Sequence, residues 1–173
     1  MPTSTAGPCN KRRGFTLVEL VVVLFLIGLF SALTLPMLTG FGADNLNLTA
    51  RRITGTVKYL FNEAALSGRV YRLSYNLDQA TYAAKEQKAD GELVPVGGIG
   101  AERHLEGKVR FKDITVAGRG TTGAGTVTTD IHPEGWLPET TIHLKDDKGR
   151  QLTLHILPYT GTTEVYEGYR EFQ

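Results

Sequence analysis

The feature that most constrains this chain is a run of 21 residues, 15–35, in which Glu19 is the only charged side chain. As an α-helix, a run of that length spans about 31 Å, close to the ~30 Å hydrocarbon thickness of a bilayer. Lys11, Arg12 and Arg13 lie just before it, and this excess of cations predicts a cytoplasmic N-terminus. We therefore expect one membrane-spanning helix, with the rest of the chain on the far side of the membrane.

A cleaved secretory signal peptide is the main alternative, since it also places an apolar stretch after a basic one. Three features argue against it. The apolar run is longer than a typical signal, it contains a carboxylate, and its nearest small-residue exit has the bulky Phe30 two residues before Ala32, where signal peptidase sites have a small side chain. These features favour a retained helix.

The sequence around the start of the run, from Arg13 to Glu19, reads RGFTLVE. It resembles the processing site of type IV prepilins and type II secretion pseudopilins, in which a short basic leader ends in Gly, Phe opens the mature chain and Glu is its fifth residue. The resemblance implies that a prepilin peptidase cuts after Gly14 and methylates the new amino group of Phe15. Pro36 then falls at mature position 22, where these families often have a proline.

The position of Glu19 has a physical explanation in such a family. A charge at the centre of a membrane helix costs about 2.5–3.5 kcal/mol, and less near its end. Cleavage would leave a basic α-amino group on Phe15, one helical turn from Glu19. We expect Glu19 to be the assembly charge, pairing with the amino group of a neighbouring subunit. The alternative is a side chain that reaches water at the membrane surface and has no further role.

Residues 36–68 form an amphipathic pattern that predicts a helix continuing the membrane segment. Its apolar residues recur at steps of three and four, namely Leu46, Ala50, Ile53, Val57, Leu60, Phe61 and Ala64. Ser67-Gly68 is a suitable C-cap. The Gly40-Phe41-Gly42 segment predicts a kink, fraying or a short break, with Asp44 as a possible new N-cap.

Residues 69–173 read as strands and turns and predict an antiparallel β domain. The clearest hairpin joins 140–145 to 151–157, with Ile142 and Leu144 on its inner side and His143 on the side expected to face solvent. A first hairpin is expected over 71–83, around a turn at 76–79. The apolar phase slips near Asp113, which predicts a bulge or a strand break there.

The fold class expected is therefore α+β and pilin-like: a long N-terminal helix, with a transmembrane half and an amphipathic half, packed on an antiparallel β-sheet domain. The predicted organisation is a leader at 1–14, a transmembrane helix at 15–35, the amphipathic continuation at 36–68 and the periplasmic β domain at 69–173. The C-terminal part resembles the H-type minor pseudopilins (GspH/FimT-like) on two short segments, Ile131-His132-Pro133-Glu134-Gly135 and Pro158-Tyr159-Thr160-Gly161.

Three patterns suggest ligand chemistry, and each has a simpler explanation. Residues 118–123 match G-x-G-x-x-G, but a β-forming segment follows instead of a helix, which favours a loop. His143 and His155 share one side of the hairpin, yet two imidazoles without a third ligand make a weak metal site. Asp146-Asp147 suits a turn better than a calcium cage. We expect no catalytic residues, no metal and no cofactor.

Trp136 lies beside Pro133 and Pro138 and has two interpretations. The simpler one is an anchor in the core or a loop, and the alternative is an exposed contact surface. Neither interpretation assigns it a ligand.

The function implied by the resemblance is that of a minor pseudopilin of the type II protein secretion system. Such a subunit is structural and not an enzyme, and it lies at or near the tip of the periplasmic pseudopilus, which helps to drive export of folded proteins through the outer membrane. The implied partners are other pseudopilins in a hetero-oligomeric fibre and tip complex, the prepilin peptidase and the inner-membrane assembly platform. The implied location is the bacterial inner membrane, single pass, with the N-terminus cytoplasmic and the C-terminal domain periplasmic.

Two alternatives remain open at this point. The first is a minor pilin of a type IV pilus, acting in assembly, adhesion or DNA uptake. Near the C-terminus, however, Arg170 is outnumbered by Glu164, Glu167 and Glu171, which argues against nucleic-acid binding. The second alternative is a membrane-tethered enzyme or ligand-binding module, supported only by the glycine-rich loops and the histidine pair.

Overall fold

The computed structural model of the chain describes residues 17–40 and 44–172, with side chains described up to residue 31 in the first range. The chain divides into two compact units, residues 1–42 and 43–173. The predicted leader at 1–14, the cleavage site at Gly14 and Phe15, and most of the predicted Gly40-Phe41-Gly42 interruption lie outside the described residues.

The first unit is described as one helix, α1, Leu17–Gly40. Its side chains from residue 17 to residue 30 are all exposed, and most of them are large and apolar; Leu17, Phe25 and Phe30 are examples. Because consecutive helical residues point in all directions around the axis, residues 17–30 of α1 present large apolar side chains on every face. Within the described part of the chain, we find no helix whose length and apolar content suffice to cross a membrane.

The second unit begins with helix α2, Asn45–Ser67, which follows Asp44 at its N-cap position. The Asp44 carboxylate accepts a hydrogen bond from the Asn47 side chain at 2.6 Å and does not cap a backbone N–H. At the other end Gly68 adopts the left-handed conformation, φ 68°, and its N–H donates to the carbonyl of Ala64. The predicted N-cap position and C-cap are therefore both confirmed.

One face of α2 is buried, and it is the face that the apolar spacing predicts. The buried residues are Leu46, Thr49, Ala50, Ile53, Thr56, Val57, Leu60 and Ala64. Phe61, which the pattern also includes, is half-buried at the edge of this face. The two threonines were not predicted, because a threonine in a helix gives no apolar signal.

In the described residues that follow α2, ten strands form two antiparallel sheets. The strands are β1 Val70–Asn76, β2 Thr81–Gln87, β3 Leu93–Pro95, β4 Arg103–His104, β5 Arg110–Val116, β6 Gly120–Thr122, β7 Thr126–Ile131, β8 Thr140–Lys145, β9 Gln151–Ile156 and β10 Thr163–Glu167. Sheet A has the order β3-β2-β1-β7, with β4 also paired to β2, and sheet B has the order β10-β9-β8-β5-β6. A single 3₁₀ turn, Gly98–Gly100, precedes β4 in the described chain.

The two predicted hairpins are confirmed. β1 pairs with β2 from Val70↔Gln87 to Asn76↔Thr81, and the Asn76 side chain accepts the Gln79 N–H at 2.9 Å in the connecting turn. β8 pairs with β9 from Thr140↔Ile156 to Lys145↔Gln151. In its turn the Asp146 carboxylate accepts the N–H groups of Lys148 and Arg150, each at 2.9 Å. Asp146 therefore stabilises the turn, whereas the Asp147 carboxylate pairs with Lys108.

The hydrophobic core of the second unit lies between α2 and the inner faces of both sheets. Helix α2 contacts β1 and β7 of sheet A and β9 and β10 of sheet B. Ile53, Leu73 and Leu154 are at most 1% exposed in this core. The predicted packing of an amphipathic helix on an antiparallel sheet is confirmed, with two sheets where the sequence suggested one.

The predicted irregularity near Asp113 is a β-bulge in β5. Phe111 pairs with Leu144 and Asp113 with His143, so Lys112 is an extra residue on this strand. Because of this extra residue, odd-numbered Phe111 faces the core before the bulge, and even-numbered Ile114 and Val116 face it afterwards. All three side chains are buried. It also places Lys112 and Asp113 on the outer side of sheet B.

Candidate functional site

The predicted processing site is described only from Leu17 onward. Glu19 lies in the first turn of α1, where the positive end of the helix dipole favours a carboxylate. Gly14 and Phe15 lie outside the described residues. Cleavage, methylation and the assembly role of Glu19 stay predictions.

The outer side of the β8–β9 hairpin is buried, so the prediction that it faces solvent is wrong. Thr141, His143, Thr153 and His155 are exposed by 6% or less. The side chains of Ile142 and Leu144 face the core, as predicted. Both sides of the hairpin are thus covered, the inner side by α2 and the outer side by residues 168–172, here called the tail segment.

His143 is held on this outer side by two acceptors. Its Nδ1 lies 2.5 Å from a carboxylate oxygen of Asp113, across the β5–β8 ladder, and its Nε2 donates to the carbonyl of Arg170 at 2.8 Å. The ring also stacks on Tyr169. His143 thus connects a strand of sheet B to the tail segment.

His155 has different neighbours, and the two histidines do not form a pair. Its Nε2 lies 2.9 Å from a carboxylate oxygen of Glu139, and the ring of Phe172 meets it edge-on with centroids 3.9 Å apart. Its Nδ1 is buried without a hydrogen-bond partner among the described residues. The shared metal ligation that the hairpin pattern suggested is not the arrangement in the structure.

The tail segment is fixed to sheet B by its backbone as well as by its rings. The Thr153 hydroxyl donates to the carbonyl of Gly168 at 2.7 Å and accepts the N–H of Arg170 at 3.0 Å. Lys112 places its ammonium 3.9 Å from the centroid of the Tyr169 ring. A cation, a threonine and two histidines on sheet B thus hold five consecutive residues in place.

Residues 17–40 and 44–172 contain no group of three or more histidine, cysteine, aspartate or glutamate side chains arranged to hold a metal ion. The carboxylates nearest to the histidines, Asp113 and Glu139, each pair with a different ring. The contacts that His143, Thr153 and His155 make with residues 168–172 form a structural clasp for the tail segment.

The G-x-G-x-x-G match is part of a β-hairpin. Gly118, between β5 and β6, and Gly120, the first residue of β6, adopt positive φ angles, and Val116 pairs with Gly120. The phosphate-binding role of this motif requires the glycines to open a helix, which is not the case here. The loop prediction is therefore right only for the turn at residues 118–119, since Gly120–Thr122 is strand β6.

Trp136 is a partly exposed loop residue, 40% accessible, and its ring stacks on His132 with centroids 4.0 Å apart. His132 and Trp136 also form an isolated β-bridge. Tyr159 lies nearby, and both aromatics line a shallow apolar depression together with Pro138 and Pro158. Both interpretations of Trp136 are thus partly right, since it anchors a loop and remains accessible.

Sequence reasoning missed the residues that build the clasp. Tyr169 and Phe172 follow the last strand without any periodic pattern, and Asp113 reaches His143 only because of the bulge. The available signal was composition, because residues 168–172 contain two aromatics, which is unusual for a segment that packs on nothing.

Comparisons with known proteins agree with the N-terminal motif. Residues 9–35 match the family model of the prokaryotic N-terminal methylation motif. No curated protein sequence matches the chain.

Solved structures resemble the chain in fold. A crystal structure of the minor pseudopilin EpsH from the type II secretion system of Vibrio cholerae matches with a TM-score of 0.60 at 14% identity, covering 74% of this chain and 98% of the other. A second structure of V. cholerae EpsH gives 0.59 at 13% identity, covering 70% and 95%. The solution structure of Escherichia coli GspH gives 0.54 at 13% identity, covering 73% and 94%.

The resemblance drawn from the residues is therefore confirmed at two levels. The motif around Gly14 is that of N-methylated prepilin-like chains, and the fold is the pilin-like α+β fold of EpsH and GspH. At 13–14% identity, the likeness to these structures is a likeness of fold.

Proposed function

We propose that this chain is a minor pseudopilin of a type II secretion system, a structural subunit at or near the tip of the periplasmic pseudopilus. The proposal rests on two observations taken together, the N-terminal motif and the fold. The N-terminal methylation motif covers residues 9–35, and the fold of the chain is that of EpsH and GspH. The motif alone also suits a type IV pilin, whereas the fold favours the H-type minor pseudopilins.

The proposed anchor is the segment 15–35, which begins before the described helix and extends beyond its described side chains. An α-helix that is apolar on every face needs apolar surroundings, and a bilayer or a bundle of like helices supplies them. With Lys11, Arg12 and Arg13 on the cytoplasmic side, the second unit would be periplasmic. The proposed location is therefore the bacterial inner membrane, with a single pass.

The proposed maturation begins with cleavage after Gly14 by the prepilin peptidase and continues with methylation of Phe15. The new amino group would lie one turn from Glu19, in a region of low dielectric where opposite charges attract strongly. A subunit moving from the bilayer into the fibre would pair its charge with that of its neighbour. The inner-membrane assembly platform and the other pseudopilins are the partners this requires.

A structural role also agrees with the burial of the two histidines of sheet B. His143 and His155 are buried under the tail segment, and the carboxylates beside them hold the rings. A general base or a metal ligand needs access to its substrate or ion. The pseudopilin proposal assigns no catalytic residue.

The test is deletion of the gene in its host, followed by assay of secreted enzymes in the culture medium. We expect the enzymes to remain in the periplasm, with release restored by the wild-type gene. Unchanged secretion together with loss of surface pili would overturn the proposal and favour a minor pilin of a type IV pilus.

Maturation is tested separately by mass spectrometry of the full chain co-expressed with a prepilin peptidase. We expect the N-terminus to be methylated Phe15. Gly14→Leu should leave the chain uncut, whereas the matched change Gly7→Leu in the same leader should have no effect. An intact leader in the wild-type chain would contradict this part of the proposal.

A further inference from the structure

A groove runs between helix α2 and strand β10 in the second unit. Its volume is about 480 Å³, and its walls are largely apolar. From α2 it is lined by Ala50, Arg51, Thr54, Gly55 and Lys58, and from β10 by Val165. These helical positions recur at steps of three and four, so one face of α2 forms the whole wall.

The strand wall of the groove is an open sheet edge. β10 pairs only with β9 in sheet B, which leaves its other side without a strand among the described residues. The Leu157 N–H donates to the Thr162 carbonyl, and the Gly168 N–H donates to the Gln151 carbonyl. Because inward and outward backbone groups alternate along an antiparallel strand, those of residues 163, 165 and 167 point away from β9.

The helix wall is shaped for close approach of another chain. A Cβ added at Gly55 would meet nothing within 4 Å, so this interior glycine is not required by any packing contact in the second unit. A helix-interior glycine costs about 1 kcal/mol relative to alanine. Opposite it, Val165 is 46% exposed. The Oγ1 atoms of Thr54 and Thr163 are buried, with no hydrogen-bond partner among the described residues.

The charges along the groove are basic. Arg51 and Lys58 are its only charged lining residues and are exposed on the same helix face, about 10 Å apart along the axis. Arg51 has no ion pair among the described residues, and the Lys58 ammonium donates to the carbonyl of Thr160 at 3.1 Å. A carboxylate that lay in the groove could therefore form an ion pair with Arg51.

We propose that the α2–β10 groove binds an extended segment of another protein that adds to sheet B as a strand beside β10. The outward backbone groups of residues 163, 165 and 167 would pair with it, a small or β-branched residue would pack on Val165 and Gly55, and an acidic residue would meet Arg51. This inference does not rest on the proposed function.

A second copy of this chain suits the edge less well. Antiparallel pairing of two β10 strands would bring the two α2 helices, each with Arg51 and Lys58, to the same face beside the seam, and like charges facing each other are destabilising. The groove therefore favours a partner of different sequence.

The experiment uses the full chain in detergent and an array of synthetic seven-residue peptides in which valine alternates with each residue type in turn. We expect peptides with aspartate or glutamate at the varied positions to be retained, and peptides with proline or lysine there to be lost. Gly55→Leu fills the groove at an exposed helix position and should weaken binding of the retained peptides at least tenfold, whereas Gly55→Ala should weaken it less.

Two further variants separate the backbone and charge contributions. Val165→Pro removes the outward N–H without touching the bonds to β9 and should abolish binding, whereas Val165→Thr should preserve it. Arg51→Glu should abolish selection of acidic peptides, and the matched change Lys85→Glu, on an exposed position of β2, should not.

Three results would overturn the inference. They are binding of no peptide above background, binding that Gly55→Leu and Arg51→Glu leave unchanged, and a concentration-dependent dimer that Gly55→Leu abolishes while no peptide binds. The last result would assign the groove to a second copy of the chain.

Discussion

The imidazole of His143 lies against the phenol ring of Tyr169, with ring centroids 3.9 Å apart and planes 20° from parallel. This contact joins the middle of sheet B to the tail segment, which would otherwise follow the sheet edge without support. The same histidine also donates to the Arg170 carbonyl next in sequence. The tail segment is therefore part of the folded unit.

Tyr169→Ala should destabilise the second unit by about 1–2 kcal/mol, because it removes the stacked ring and the cation–π contact with Lys112. The measurement is thermal unfolding of the full chain in detergent. Hydrogen exchange at Gly168 and Arg170 should also become faster. Tyr159→Ala is the matched control, since Tyr159 is 78% exposed and should change stability by less than about 0.5 kcal/mol. Equal effects of the two changes would contradict the role of Tyr169.

Asp113→Ala should lower the free energy of unfolding of the second unit by about 1–3 kcal/mol, because it leaves a buried nitrogen of His143 without its acceptor. A double-mutant cycle with His143→Ala measures the coupling, which we expect to be more than about 0.5 kcal/mol. Asp147→Ala removes an exposed ion pair with Lys108 and provides the control, with a loss of less than about 1 kcal/mol. A coupling free energy of zero would show that neither side chain needs the other for its contribution to stability.

The acid stability of the second unit should depend on Asp130. Hydrogen bonds from Arg72, at 2.7 and 2.9 Å across the β1–β7 ladder, lower the pKa of the Asp130 carboxyl. A carboxyl whose folded pKa is depressed contributes stability above its unfolded pKa of about 3.9, and that contribution is lost as the pH falls further. Arg72→Met should therefore reduce stability by about 1 kcal/mol at pH 7 and by progressively less below pH 4. An equal loss at pH 7 and pH 2.5 would contradict this.

Tyr75→Phe should leave stability unchanged or raise it by up to about 1 kcal/mol, because the buried Tyr75 hydroxyl has no partner among the described residues. Burial also raises the pKa of this phenol, which favours its neutral form in the folded state. The stability contribution of that neutral form is present below pH 10 and is lost as the pH rises beyond it. Alkaline unfolding should therefore occur at higher pH in Tyr75→Phe. A loss of more than about 1 kcal/mol at neutral pH would instead reveal a hydrogen bond to the hydroxyl.

Glu19→Ala should leave membrane insertion intact and impair assembly, because the proposed role of this carboxylate is to pair with the amino group of a neighbour. The measurement compares membrane fractionation with co-purification of other pseudopilins. Val23→Ala, one turn further along α1, is the control and should affect neither. Impaired insertion with normal assembly would show that Glu19 has another role.

Elements whose apolar residues recur at short, regular intervals were predictable, since the sequence itself shows those intervals. The apolar spacing of α2, the alternation around Tyr71 and Leu73, and the phase slip at Asp113 each reflect which side of an element is buried. The turn at Asp146 was predictable for a similar reason, because its residues favour that backbone conformation.

The clasp was not predictable from the sequence, because its residues are distant from one another along the chain. Each of them also occurs commonly as an exposed residue with no such contact. A histidine on alternate strand positions usually faces water if the other side is apolar, and His143 and His155 fit that pattern. Burial of this outer side depends on residues 168–172 folding back, for which no local rule exists. The division into two sheets was missed for a related reason, since pairing between β1 and β7 is long-range.

The bulge in β5 has a consequence for how this protein can change over evolutionary time. A register without the bulge would set Lys112 opposite His143 and Asp113 opposite Ile142, which would turn Asp113 toward the core and take its carboxylate away from His143. Loss of the bulge would thus remove a contact that helps to hold a segment more than 50 positions further along the chain. In related chains we expect the extra residue, the acid at position 113 and the histidine at position 143 to be inherited together or lost together.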